Sequence, residues 1–224
     1  MLDLYNHACF TKSFYMLGKS LDYCLDCKYC RLIGESNKNI IFNIIPSDIN
    51  PLFINLPVAI NLFYGDPLLQ INNTVLYLKK LEKSGHKAPV IIITKGDFSK
   101  FPISDYNLDL HFAFSTFGID SQYDGGNLKT FEKNLELASN TNYKYSIEFR
   151  PIIKNINDSP DVIENIFKIA NKYKTAIGFC GLQVNDDLKK YFFKNNINFE
   201  QYDGYEFGLK KAVSKEVEDI FYNF

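Results

Sequence analysis

Three of the five cysteines fall within seven residues, as Cys24-Leu-Asp-Cys27-Lys-Tyr-Cys30, while Cys9 and Cys180 stand apart. Thiols two residues apart close loops too small to restrain the unfolded chain, and the total is odd, so a disulfide framework is a poor account of the cluster. A CxxC redox pair would leave the third cysteine idle. Converging thiolates on one short loop suit a soft metal centre instead, either zinc or an iron–sulfur cluster. Structural zinc takes four protein ligands, which here would draw Cys9 or His7 in beside the triplet. Three cysteines with no obvious fourth suit a cubane cluster that keeps one iron open for a small ligand.

A loop of this kind needs a scaffold, and the chain is long enough to supply one. Its 224 residues are 46% hydrophobic and 23% charged, the balance of an ordinary globular chain, and read as one domain over 1–224 with the cysteine loop at 24–30. A formal charge of −1 gives no global attraction for a polyanion, so nucleic acid is not implied by charge. The opening MLDLYNHACF has neither a basic segment nor an apolar run, which makes a cytoplasmic address the expectation. The most apolar stretch, Ile40 to Tyr64, is interrupted by Asn43, Pro46, Asp48, Asn50, Pro51, Asn55 and Pro57, too often for a membrane span.

Beyond that stretch, apolar β-rich runs alternate with helical periodicity. Strands are expected over Val58–Phe63, Val90–Thr94, Leu108–Ser115, Tyr143–Pro151 and Thr175–Leu182, and helices over Asn73–Lys83, Leu128–Ser139 and Pro160–Tyr173. Only a short irregular link separates the run ending at Thr94 from the next. The helix at Pro160 has Ser159 as its cap, proline in its first position, and one apolar face built from Val162, Ile163, Ile166, Phe167, Ile169 and Ala170. This order predicts an α/β fold around a mostly parallel sheet, open or closed into a barrel. Two strands carry a polar side, Asp109, His111 and Ser115 in one and Ser146, Glu148 and Arg150 in the next. A doubly wound sheet buries both faces in apolar residues, so a barrel with a polar interior near its mouth fits better, its reactive residues at the C-terminal strand ends.

Read in order, the cysteine triplet, a strand ending Phe63-Tyr64-Gly65-Asp66-Pro67, one ending Ile93-Thr94-Lys95, one ending Phe114-Ser115 and one ending Arg150-Pro151-Ile152-Ile153 resemble the radical S-adenosylmethionine (radical SAM) superfamily over nearly the whole chain. The spore photoproduct lyase-like branch is the most similar, including the ending Cys27-Lys28-Tyr29-Cys30. The resemblance implies a partial (β/α)6 TIM-like barrel. It also implies a [4Fe–4S] cluster on Cys24, Cys27 and Cys30, with S-adenosyl-L-methionine bound at the open iron and cleaved reductively to a 5′-deoxyadenosyl radical. Tyr29 would then border the adenine, Gly65 and Asp66 would approach the methionine amino end, Lys95 would meet its carboxylate, and Ser115 would bond the ribose or carboxylate.

Arg150 is expected to bind cofactor or substrate, or to pair with Glu148; His111 reads as a satisfied interior histidine and Cys180 as a buried apolar residue. No catalytic side chain is assigned. The implied partners are a small or medium-sized substrate, with nucleotides and nucleobases first among the candidates, and an electron donor such as flavodoxin or ferredoxin, with no membrane. Departures are visible as well. The cysteine spacing is two and two instead of three and two, Cys9-x14-Cys24-x2-Cys27 offers a rival set, and Tyr64-Gly65-Asp66 stands where a Gly-Gly-Glu motif is usual. Phe63 occupies the place of the lyases' reactive cysteine, so thymine-dimer repair is not expected. From a different class, the alternative is a noncatalytic zinc-binding interaction module.

Overall fold

The computed structural model describes residues 14–15, 27–30, 57–60, 66–102, 105–115, 123–200, 202 and 213–223. Cys9, Cys24 and Gly65 lie outside them. Six strands are present among the described residues: β1 (Phe14–Tyr15), β2 (Val58–Ile60), β3 (Val90–Thr94), β4 (Leu108–Phe114), β5 (Lys144–Ile152) and β6 (Ala176–Gly181). Each pairs in parallel with the next, so the sheet order is β1-β2-β3-β4-β5-β6. The order never reverses, so the sheet has no switch point of the doubly wound kind.

The crossovers are helical where the 3.6-residue period predicts them. Helix α1 (Ile71–Lys83) joins β2 to β3, α2 (Leu128–Ser139) joins β4 to β5, and α3 (Pro160–Tyr173) joins β5 to β6. Between β3 and β4 the described residues make a 3₁₀ turn at Phe98–Lys100. Side-chain caps start α2 and α3: Asn127 accepts from Thr130 N at 2.8 Å and Ser159 from Val162 N at 3.4 Å, each satisfying an amide that the helix cannot. Lys174, in the left-handed region at φ 51°, ends α3.

Alternation along the strands puts Leu110, Phe112 and Phe114 of β4 and Ile147 and Phe149 of β5 in one core with Leu78 and Leu81 of α1, Phe131 and Leu135 of α2, and Ile163 and Ile166 of α3. Phe114 stacks on Phe131 with ring centroids 4.5 Å apart. Burial of each such side chain stabilises by about 1.5–3 kcal/mol, which makes this helix-facing layer the main source of stability. The opposite face of β4 and β5 holds the polar residues.

Three elements were not expected from the sequence: β1, α4 (Asp186–Lys194) and α5 (Lys215–Asn223). Helix α4 is short and buries only Leu188 and Phe192, a pattern too brief to show a period. Its start is nonetheless well signalled, since Asn185 caps Leu188 N at 2.7 Å and Asp186 and Asp187 lie in the positive first turn. Helix α5 brings Phe221 onto Phe179 of β6, with centroids 4.0 Å apart. No helix among the described residues is long and apolar enough to cross a membrane.

Candidate functional site

Parallel strands aim their C-terminal ends at one edge of the sheet, and the residues singled out in the sequence gather there. The turn at 27–30 is held to the segment before α2 by Lys28 N donating to Tyr123 O at 2.9 Å. That contact carries Tyr29 inward, to 6% exposure. Its hydroxyl accepts from Lys95 Nζ, just past β3, and from Ser115 Oγ, just past β4, at 3.0 Å. Lys95 Nζ also donates to Asp124 Oδ1 at 2.9 Å, and Ser115 Oγ lies 3.3 Å from Asp124 Oδ2. Tyr29, Lys95, Ser115 and Asp124 therefore form one connected network over the ends of β3 and β4.

Cys27 borders this network. Gly125 N donates to its Sγ at 3.4 Å, and the Sγ is 3.5 Å from Asp124 Oδ1. Burial pushes the Cys27 thiol up, with the Lys95 charge acting the other way. Burial alone would raise the Asp124 carboxyl too, but the Lys95 ammonium and the Gly126 amide outweigh it and hold Asp124 below the usual range. Tyr29 is held well above the ordinary phenol range, first by burial and then by the nearby Cys27 and Asp124. The Lys95 side chain is 13% exposed and that of Asp124 0%, so the pair is largely screened from water, where charge–charge interaction is stronger than at a surface.

Asp66 takes a supporting position. Its Oδ1 accepts from Leu68 N at 2.9 Å and from Thr94 Oγ1, while Oδ2 accepts from Lys95 N at 2.6 Å and Gly96 N at 3.2 Å. Both oxygens are thus occupied in holding the backbone from which Lys95 projects. Burial raises the Asp66 carboxyl despite these donors. Close packing at this bend explains Gly96: a Cβ there would meet Leu68 Cβ at 2.8 Å and Asp66 Oδ1 at 2.9 Å. Asn134 of α2 clamps the same bend, donating to Gly96 O at 2.7 Å and accepting from Phe98 N at 2.8 Å.

A second buried amide ties the next two strand ends together. Asn157 Nδ2 donates to Ser115 O and Pro151 O, both at 3.0 Å, and its Oδ1 accepts from Ile153 N at 2.5 Å. Arg150 is half-buried and has no hydrogen-bond or ion-pair partner among the described residues, and Glu148 is engaged by His111 instead.

No family model, curated protein or solved structure matches the chain.

Of the expected site residues, then, Cys27, Tyr29, Lys95 and Ser115 meet directly, Asp66 holds the Lys95 backbone, Cys30 is half-buried on the same turn, and Cys24 and Gly65 fall outside the described residues. Among the described residues no three His, Cys, Asp or Glu side chains gather as metal ligands. Sequence reasoning missed Asp124 and Asn157. Asp124 precedes Gly125 and Gly126, which reads as an ordinary turn, and Asn157 lies in an Asn-Ile-Asn-Asp-Ser loop of the same character. Their roles depend on contacts with residues distant in sequence, Lys95 and Cys27 for Asp124 and Ser115 for Asn157.

Proposed function

We propose that the protein is a radical SAM enzyme with a partial (β/α)6 TIM-like barrel, acting on a small or medium-sized substrate. The observation that carries this reading is the union of Cys27, Tyr29, Lys95, Ser115 and Asp124 at the C-terminal edge of a sequentially ordered parallel sheet, which is where barrel folds keep their chemistry. A cysteine loop serving only as a structural clip would not need a buried lysine, tyrosine and carboxylate built against it.

The donor set fits an iron–sulfur cluster. Cys27 and Cys30 are soft ligands on one tight turn, closed by Cys30 N donating to Cys27 O at 3.1 Å, and the Gly125 amide is directed at the Cys27 sulfur as a thiolate ligand requires. Cys24, Cys27 and Cys30 would hold the cluster, which when bound supplies the electron that splits the sulfonium of S-adenosyl-L-methionine into methionine and a 5′-deoxyadenosyl radical.

The chain's own residues bind and orient. Lys95 has three N–H donors, two of them given to Tyr29 and Asp124, which leaves one for the methionine carboxylate. Asp124 keeps that ammonium directed by accepting from it. Ser115 offers its hydroxyl to the ribose or carboxylate, and Tyr29 closes the floor against water. Arg150 supplies a guanidinium fork for cofactor or substrate. Asp66, by gripping Leu68, Lys95 and Gly96 amides, positions Lys95, and Gly65 immediately before it would approach the amino end.

Anaerobic reconstitution tests the reading directly. About four iron and four sulfide per chain are expected. Reduction with S-adenosyl-L-methionine should then release 5′-deoxyadenosine slowly, and faster when a reducing partner such as flavodoxin or ferredoxin and a productive substrate are present. A fully loaded, reduced preparation that yields no deoxyadenosine refutes the enzyme reading. Colourless protein with stoichiometric zinc would instead establish the interaction module.

A further inference from the structure

The cations of the sheet's polar face and C-terminal edge are matched by acids, with one exception. His111 is held by Glu148 at 2.8 Å and by Asp109 at 3.5 Å, and Lys95 is held by Asp124 at 2.9 Å. Arg150 is left over. It is half-buried, and among the described residues it has neither a hydrogen bond nor an ion pair. A guanidinium does not shed its proton in a protein, so one partly withdrawn from water and matched by no acid is costly to keep unless an anion completes it.

The position of this cation is fixed. Phe149 of β5 is still in register with Phe179 of β6, so alternation puts Arg150 on the face of Ser146 and Glu148, at the C-terminal end of the strand. Ile152 pairs with Gly181, which sets Arg150 and Pro151 of β5 against Cys180 alone, the extra residue of a bulge. Both sides of that bulge are tied down, Pro151 O by Asn157 Nδ2 at 3.0 Å and Ile152 O by Leu182 N at 2.8 Å.

The residue type is a second observation. The chain has 23 lysines and two arginines, Arg31 and Arg150, so positive charge is almost everywhere supplied by lysine. What a guanidinium adds is a planar fork that meets two oxygens of one phosphate or carboxylate at once. The proposed cofactor brings a single carboxylate, for which Lys95 keeps an N–H, so the fork is surplus to it.

Resting on the radical SAM reading of this edge, we propose that Arg150 is a substrate-recognition residue and that the substrate carries an oxoanion, a phosphate or a carboxylate, held by the guanidinium through paired N–H···O bonds.

Having only two arginines makes the test direct. In the full chain as purified, carrying isotope-labelled arginine, the Nε–H signals belong to Arg31 and Arg150, and Arg150→Lys assigns them. Inorganic phosphate and acetate are titrated separately, with chloride at matched ionic strength as the control. A saturable shift of the Arg150 signal is expected, and the probe that saturates at the lower concentration identifies the anion. Arg150→Lys keeps the charge and loses the fork, and should weaken that probe about tenfold in calorimetry; Arg150→Gln serves if the lysine variant does not fold. No saturable shift with either probe at millimolar concentration, an equal response to chloride, or unchanged affinity in the variant overturns the proposal. The same anion should bind with undiminished affinity to cluster-loaded protein saturated with S-adenosyl-L-methionine, and competition between the two would assign Arg150 to the cofactor and overturn it as well. The titration itself needs no cofactor, so its failure leaves the radical reading standing, and absence of S-adenosyl-L-methionine cleavage leaves the anion result intact.

Discussion

Raising the pH should unload His111 and weaken the fold by an amount the structure allows to be worked out. Burial by itself would depress the imidazole, but the Asp109 and Glu148 carboxylates outweigh it and push it from 6.5 up to about 9. A folded value above the unfolded one means that the native state binds the proton more tightly, so the stabilisation is complete below 6.5 and lost as pH rises through about 9. A shift of that size corresponds to about 3 kcal/mol of proton-linked stability, at ~1.4 kcal/mol per pH unit. Burying two carboxylates around the ring offsets part of the cluster's absolute contribution, but the offset does not remove the pH dependence. Urea denaturation between pH 6 and 9.5 measures it, with His111→Gln as the reference that removes the titrating ring and retains hydrogen-bonding capacity. The difference between wild type and variant should shrink by about 3 kcal/mol across that range. A constant difference, or a His111 resonance that titrates near 6.5 in the native protein, refutes the argument.

Replacing Cys24, Cys27 or Cys30 by alanine should abolish the cluster by iron and sulfide counts, while Cys9→Ala and Cys180→Ala retain it; loss in Cys9→Ala with retention in Cys30→Ala would select the longer spacing. Lys95→Ala leaves Asp124 buried without its cation and should cost about 3 kcal/mol in urea denaturation, with part of the loss recovered on adding Asp124→Asn. Lys95→Ala should also weaken S-adenosyl-L-methionine binding to the cluster-loaded protein in calorimetry, and unchanged affinity counts against its carboxylate role. Gly96→Ala forces a methyl against Leu68 and Asp66 and should lower stability by about 1–3 kcal/mol, read as a lower urea midpoint at unchanged slope.

Much of the α/β frame was legible in the chain because its signals are local. The β-branched run Val90–Thr94, the Ser159-Pro160 start of α3 and the alternation along β4 each depend on neighbours within a few residues, and each occurs where the sequence places it. The polar sides of β4 and β5 were legible for the same reason, since a period of two puts Asp109 and His111 on one face and Ser146 and Glu148 on another. Local pattern does not reveal that those faces meet. The parallel register joining His111 to Ser146 brings Glu148 to the imidazole, so Glu148 pairs with His111, where the sequence had offered Arg150 either Glu148 or a cofactor or substrate.

At the strand ends the division is similar. Residue type and spacing marked Cys27, and the resemblance carried by the order of the strand endings marked Tyr29, Lys95 and Ser115. Only the folded chain shows Asp66 turned toward the Lys95 backbone, Asp124 between Lys95 and Cys27, and Asn157 joining two strand ends. A carboxylate or amide in a polar loop looks the same in sequence whether it faces water or holds a buried network. What it does is decided by which distant donors the tertiary fold brings within hydrogen-bond distance.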